Sequence, residues 1–248
     1  MLRYTAVILA FAAASCLAGC GSVSDRPPVD AAAGAQAPPP QATAAPPAKT
    51  ITRPQIVALG DSLTAGLGLN PDEAYPALLQ KRLDAGGFNY EVVNAGVSGD
   101  TSAGGLSRLD WALDGDVRLL IVALGGNDAL RALPADELKQ NLSNIIERAQ
   151  ARHIEIVLAG MEAPRNFGRD YIVAFHQVYP SLARQYHVAL VPFLLQGVAA
   201  DPALNQRDGI HPTAEGARIV ADNVWTVLRP LLEARQQPST RKEGPAGS

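Results

Sequence analysis

Cysteine is nearly missing from this 248-residue chain: its two copies, Cys16 and Cys20, both fall within the first 20 residues. The rest of the chain therefore has no structural disulfide, no thiolate metal site and no cysteine nucleophile. An excess of one charge is missing too. The 21 Lys+Arg and 24 Asp+Glu leave a formal net charge of −3, with no block of like charges. That excludes the basic footprint of a nucleic-acid partner. Aromatic residues are scarce at 5%, so the interior must be built mostly from Ala, Val and Leu. With many glycines, such a core suits closely packed helix and sheet layers. No Gly-x-Gly-x-x-Gly follows a candidate strand and no Gly-Lys-Ser/Thr occurs, which removes the common nucleotide loops. The four histidines have no partners at ligand spacing, which argues against a metal. No cofactor is expected.

The two ends of the chain differ from its middle. Arg3 precedes an almost continuous apolar stretch over 5–17, too short for a comfortable bilayer span, that ends in Leu17-Ala18-Gly19-Cys20. Small residues before a Cys, just after an apolar run, resemble the bacterial lipobox, in which the Cys is cleaved to become residue one and is acylated. The plainer alternatives are an ordinary signal peptide or an uncleaved anchor. Gly21 rather than Asp follows the Cys. In a bacterium with two membranes, that leans towards an outer-membrane lipoprotein facing the periplasm. Residues 22–50 are rich in Ala and Pro and hold almost no large apolar residue, too little to offset the entropy of ordering them. A Pro-rich tether rises up to about 3.1 Å per residue, so it reaches some tens of Å. The expected organisation is a signal peptide over 1–19, a lipidated Cys20 and tether over 20–52, one folded domain over 53–235, and a disordered tail over 236–248. The expected protein is a monomer held at the membrane by its N-terminal lipid.

Between the ends, apolar runs and amphipathic stretches alternate. Strands are expected at Ile56–Leu59, Glu91–Val93, Leu119–Leu124, Ile154–Leu158 and within Val188–Phe193. Helices are expected at Ala74–Leu83, Thr101–Leu113, Pro134–Arg152, Tyr171–Tyr186 and Thr213–Leu232, the last with Thr213 as N-cap. Strands alternating with helices predict an α/β fold with a parallel sheet covered on both faces.

In open parallel sheets, ligands bind beyond the carboxyl ends of the strands. Polar, Gly-rich clusters fall there repeatedly: Gly60-Asp61-Ser62-Leu63-Thr64, then 94–101 with Ser98-Gly99-Asp100-Thr101, then Gly125-Gly126-Asn127-Asp128. A fourth, Asp208-Gly209-Ile210-His211-Pro212, precedes the last helix. A serine hydroxyl needs a base to become a nucleophile, and near neutral pH that base is first of all histidine. His153 and His187 sit just before strands and His176 is mid-helix, so each reads as a surface or edge residue. His211 follows Asp208 by three residues in a Gly/Pro-bounded turn. That spacing lets the carboxylate accept the imidazole Nδ1–H and fix its tautomer. An oxyanion needs donors. The backbone N–H groups of Ser62 and Gly99 and the side-chain amide of Asn127 qualify. Each motif alone has a plainer reading as a turn, a loop or a helix cap; their joint appearance in this order is far more specific. Met161–Tyr171 is expected as a rim loop, and Leu63, Leu67 and Leu69 either line an acyl groove or belong to the core.

These four blocks resemble those of the GDSL, or SGNH, hydrolase family. The likeness is nearest to its bacterial thioesterase I / lysophospholipase / arylesterase branch and covers nearly all of 56–231. The resemblance implies a three-layer α/β/α flavodoxin-like fold with a five-stranded parallel sheet. It implies Ser62 as nucleophile, His211 as base and Asp208 as its orienter, with Ser62, Gly99 and Asn127 as oxyanion donors. The implied activity is hydrolysis of acyl esters or thioesters through an acyl-enzyme on Ser62. Deacetylation of cell-wall or extracellular glycans is the alternative on the same site, and a silent binding lipoprotein is a third. Ser62 sits in no Gly-x-Ser-x-Gly elbow, which sets the chain apart from the common lipases.

Overall fold

The computed structural model describes residues 53–236. In chain order the elements are β1 (Gln55–Gly60), α1 (Ser62–Ala65), α2 (Tyr75–Ala85), β2 (Glu91–Gly96), α3 (Ser102–Ser107), α4 (Leu109–Ala112), β3 (Val117–Ala123), α5 (Gly126–Leu130), α6 (Ala135–Ala151), β4 (Glu155–Ala159), α7 (Arg169–Tyr186), β5 (Ala189–Val191) and α8 (Ala214–Gln236). The expected signal peptide, lipidated Cys20 and tether lie outside the described residues. So does the expected tail, except that Gln236, taken as its first residue, closes α8 instead.

The five strands form one parallel sheet in the order β2-β1-β3-β4-β5. The central strands read as continuous apolar runs because both their faces are covered: Ile56–Leu59 and Leu119–Val122 are buried throughout. Helix α2 packs against α8, while α6 packs against α3 and α7. This gives three layers. In α6, Leu138, Leu142, Ile145 and Ile146 are fully buried at helical spacing. Each contributes roughly 2 kcal/mol by leaving water, and this stripe fixes which face of α6 meets the core.

Register positions the site. Gly60 of β1 stands level with Gly96 of β2 and with Ala123 of β3. Three strands thus end on one line, and the loops after them open on the same rim. The chain leaves β1 for β2 on one side and returns with β3 on the other. The strand order therefore reverses between β1 and β3, which is where open α/β sheets form their crevice.

One expectation is corrected, and one short element is new. The helix expected over Thr101–Leu113 is two short helices broken at Arg108 (φ −106°, ψ 11°). The Arg108 guanidinium turns inward, donating to Asp100 Oδ2 (2.6 Å), Ala95 O (2.8 Å) and Gly60 O (2.9 Å). Those bonds satisfy carbonyls at the ends of β1 and β2, and Gly104-Gly105 is a poor stretch to hold a helix against that pull. The fifth strand, Ala189–Val191, lies within the stretch expected for it, and Pro192, which has no N–H, ends its ladder. Finally, α5 directly after β3 was not expected at all. Its five residues are too few for apolar periodicity to reveal.

Candidate active site

Ser62 is the first residue of α1, immediately beyond the carboxyl end of β1. The turn into it is sharp. A Cβ on Gly60 would lie 1.9 Å from Thr64 Oγ1 and 2.9 Å from Ala123 O, so only glycine fits. Asp61 caps the helix, its Oδ1 accepting the Leu63 N–H at 3.0 Å. Ser62 is nearly buried, at 9% exposure, and lines a small recess.

The loop carrying Asp208 and His211 arrives from the other end of the chain. It is closed as a narrow turn: Gln206 N–H donates to His211 O at 2.7 Å and Thr213 N–H to Leu204 O at 2.9 Å. The Gln206 amide then staples it to the serine loop, donating to Leu67 O (2.7 Å) and Pro212 O (2.9 Å). His211 Nε2 stands 2.8 Å from Ser62 Oγ, and His211 Nδ1 stands 2.8 Å from Asp208 Oδ2. The three-residue spacing curls the carboxylate back as expected. Its Oδ1 also accepts the backbone N–H groups of Ile210 (2.9 Å) and His211 (3.0 Å). Those two backbone bonds, ahead of the imidazole bond, hold the Asp208 carboxyl down from the ordinary 3.8 to about 2. An imidazole held in this way can take the serine proton while its other nitrogen keeps its own proton on a carboxylate that stays ionised.

The three expected oxyanion donors meet on the same rim. Gly99 adopts φ +87°, a left-handed conformation natural to glycine, and its carbonyl accepts from the Arg131 guanidinium at 2.8 Å. Among the described residues, no backbone acceptor takes the N–H of Ser62 or of Gly99. Asn127, in α5, donates from Nδ2 to Asp100 O at 2.9 Å and to Asp61 Oδ2 at 3.3 Å.

A small recess beside Ser62 and His211 is lined by Leu63, Leu67, Leu69 and Tyr75. All three leucines line the recess, and Leu63 also packs on the core. The rim loop over Met161–Tyr171 runs into the start of α7, where the Phe167 and Tyr171 rings meet at a tilt of 59° with centroids 5.8 Å apart. His153, His176 and His187 are exposed; His176 Nδ1 pairs with Glu162 at 2.7 Å. Among the described residues, no cluster of three His, Cys, Asp or Glu is placed to hold a metal ion.

Sequence reasoning gave no role of their own to Asp61, Arg108, Ser102 or Asp128. Asp128 is buried and accepts the Ser102 backbone N–H (2.8 Å) and hydroxyl (2.5 Å), tying α5 to the start of α3. Burial pushes Asp61 up from 3.8 to about 6, against the lowering effects of the Leu63 N–H, the nearby His211 and Asn127. An aspartate directly before a helix start is a general cap signal, but nothing local to Asp61 signals Asn127, 66 residues away.

The comparisons with known proteins agree with this fold. The model of the GDSL-like lipase/acylhydrolase family matches residues 58–219. Esterase TesA of Pseudomonas aeruginosa is 45% identical over 178 residues, covering 71% of this chain and 89% of its own. Thioesterase 1/protease 1/lysophospholipase L1 of Escherichia coli is 39% identical over 178 residues, covering 71% and 84%. The crystal structure of TesA matches with a TM-score of 0.69 at 44% identity, over 71% of this chain and 99% of that one. Sequence blocks, sheet order and these relatives converge: the chain belongs to the GDSL-like lipase/acylhydrolase family.

Proposed function

We propose that this hydrolase cleaves acyl esters or thioesters through an acyl-enzyme on Ser62. The observation that carries the reading is the continuous chain from Asp208 Oδ2 through His211 to Ser62 Oγ, with both links at 2.8 Å. His211 Nε2 takes the hydroxyl proton as Oγ attacks the acyl carbonyl, while Asp208 holds the resulting imidazolium. The negative charge on the carbonyl oxygen meets the Ser62 and Gly99 N–H groups and the Asn127 amide. His211 then gives its proton to the departing alcohol or thiol. Water, activated by the same imidazole, attacks the acyl carbon and restores the serine. The names of the relatives, esterase and thioesterase/lysophospholipase, favour this over glycan deacetylation. A fluorophosphonate probe should label Ser62 and leave Ser62→Ala unlabelled; equal labelling of both would overturn the assignment. A panel of acetyl, butyryl, decanoyl and palmitoyl esters then defines the acyl preference.

The address is a separate proposal. Leu17-Ala18-Gly19-Cys20 followed by Gly21 and a Pro/Ala tether supports a lipoprotein held at the envelope, in the outer membrane facing the periplasm. Intact-mass analysis of membrane-extracted protein should show cleavage before Cys20 and added acyl mass. Unmodified, soluble wild-type protein would overturn it.

A further inference from the structure

An asparagine amide presents an oxygen and a nitrogen of nearly equal size. Only the nitrogen serves an oxyanion, so something must decide which end faces the reaction. In this fold the decision rests on two acceptors. Asp100 O takes one Asn127 N–H at 2.9 Å, a full hydrogen bond. The second acceptor is Asp61 Oδ2 at 3.3 Å, a long and weak contact. A rotated amide would set its own oxygen against a carbonyl and a carboxylate, two groups that donate nothing.

We propose that Asp61 is a positioning residue of the oxyanion site: its carboxylate holds the Asn127 amide nitrogen-inward and yields that long 3.3 Å contact to the oxyanion as charge develops. This rests on the reading of Asn127 as an oxyanion donor. An amide has two N–H groups, and both are engaged in the resting enzyme. The short bond to Asp100 O anchors the group. The long bond to Asp61 is the cheap one to give up, and the donor it frees is held at the residue that directly precedes Ser62. Asp61 suits this task because it is immobile. It is 2% exposed. Its other oxygen is fixed by the Leu63 N–H, and a Cβ added to Gly126 would lie only 3.1 Å from Oδ2.

Asp61→Asn separates positioning from capping. Asparagine caps a helix as well as aspartate, but it has a single oxygen. If that oxygen keeps the Leu63 N–H, the variant turns an NH₂ towards Asn127 Nδ2, two donors face each other, and the Asn127 amide is driven to rotate. Asp61→Ser also keeps the cap but is too short to reach Asn127. Both variants should lower kcat by about 10- to 100-fold and leave KM within about threefold, since the ground-state carbonyl needs the donor much less.

The decisive measurement is the double change. Asp61 acts through Asn127, so Asp61→Asn/Asn127→Ala should be no slower than Asn127→Ala alone. Losses that multiply, or wild-type kcat in both Asp61→Asn and Asp61→Ser, would overturn the positioning role. Asn127→Ala alone keeps the two readings apart: wild-type kcat there would overturn the oxyanion reading itself. A role in capping alone would leave both variants with wild-type kcat, since both keep the cap, and a core role would appear as a lowered melting temperature with kcat preserved in the folded fraction; either result counts against the proposal.

Discussion

Replacing Asp61 should make the protein more stable at neutral pH than at acid pH, relative to wild type. Burial raises the Asp61 carboxyl from 3.8 to about 6 in the fold, and the residue is 2% exposed, so screening by water is small. Because the folded value is the higher one, the folded state keeps a proton that the unfolded state has lost across this window. Stability therefore falls as pH rises from about 4 to about 6, and the full penalty persists above 6. Two pH units of difference correspond to about 3 kcal/mol. Roughly 2 kcal/mol of that falls between pH 4.5 and pH 8. Asp61→Asn has no such titration. Its unfolding free energy minus that of wild type, measured by urea denaturation at several pH values, should rise by about 2 kcal/mol across that range. Asp208 does not interfere. Its value is lowered to about 2, so the stability it lends is complete above about pH 4 and is lost only below. A difference that stayed flat with pH, or shrank as pH rose, would refute the burial argument.

Other outcomes follow from the same geometry. Asn127→Ala should keep the fold and KM while kcat drops by about 10²–10³; a lowered melting temperature with intact kcat would make Asn127 a structural turn residue. Ser62→Ala and His211→Ala should each lower kcat by several orders of magnitude, and combining them should add little; multiplicative losses would count against a shared unit. Tyr179→Phe deletes the buried donor to Leu124 O, bonded at 2.9 Å, at the end of the strand that leads to Asn127. It should destabilise the protein by about 1–3 kcal/mol in urea titration, because the carbonyl is left without that partner, and an unchanged midpoint would show that another donor replaces it.

Much of this architecture is written locally, and that is why it could be read. Leu119–Val122 is apolar at every position because both its faces are covered, and α6 announces itself through Leu138, Leu142, Ile145 and Ile146. The pairing of Asp208 with His211 is likewise a three-residue affair that a turn enforces. What escaped reading was set by distance in sequence or by shortness. Arg108 breaks a helix for the sake of Gly60 O, 48 residues earlier, and Ala95 O, 13 residues earlier; no window around Arg108 contains that reason. Helices α1 and α5, four and five residues long, have no amphipathic stripe: α1 is held by the Asp61 cap, and α5, which has no side-chain cap, by the bonds of Asp128 to the start of α3 and of Asn127 to Asp100 just before it. The contact between Asp61 and Asn127 spans two strands and exists only because β1 and β3 lie side by side and end level.

Two carboxylates act near His211, and their surroundings push them in opposite directions. Asp208 is exposed and collects three hydrogen bonds on its ionised form, so it is charged whenever the imidazole takes up a proton. Asp61 is buried, and its charge costs stability throughout the neutral range. A chain selected only for a firm helix start would do better with Ser or Asn before Ser62, since either caps as well and neither must be ionised. Neither, however, offers two acceptor oxygens. Only a carboxylate can take the Leu63 N–H on one oxygen and hold the Asn127 N–H on the other. The destabilising aspartate therefore makes physical sense at this position through its second oxygen, and through the amide that oxygen keeps turned to the nucleophile.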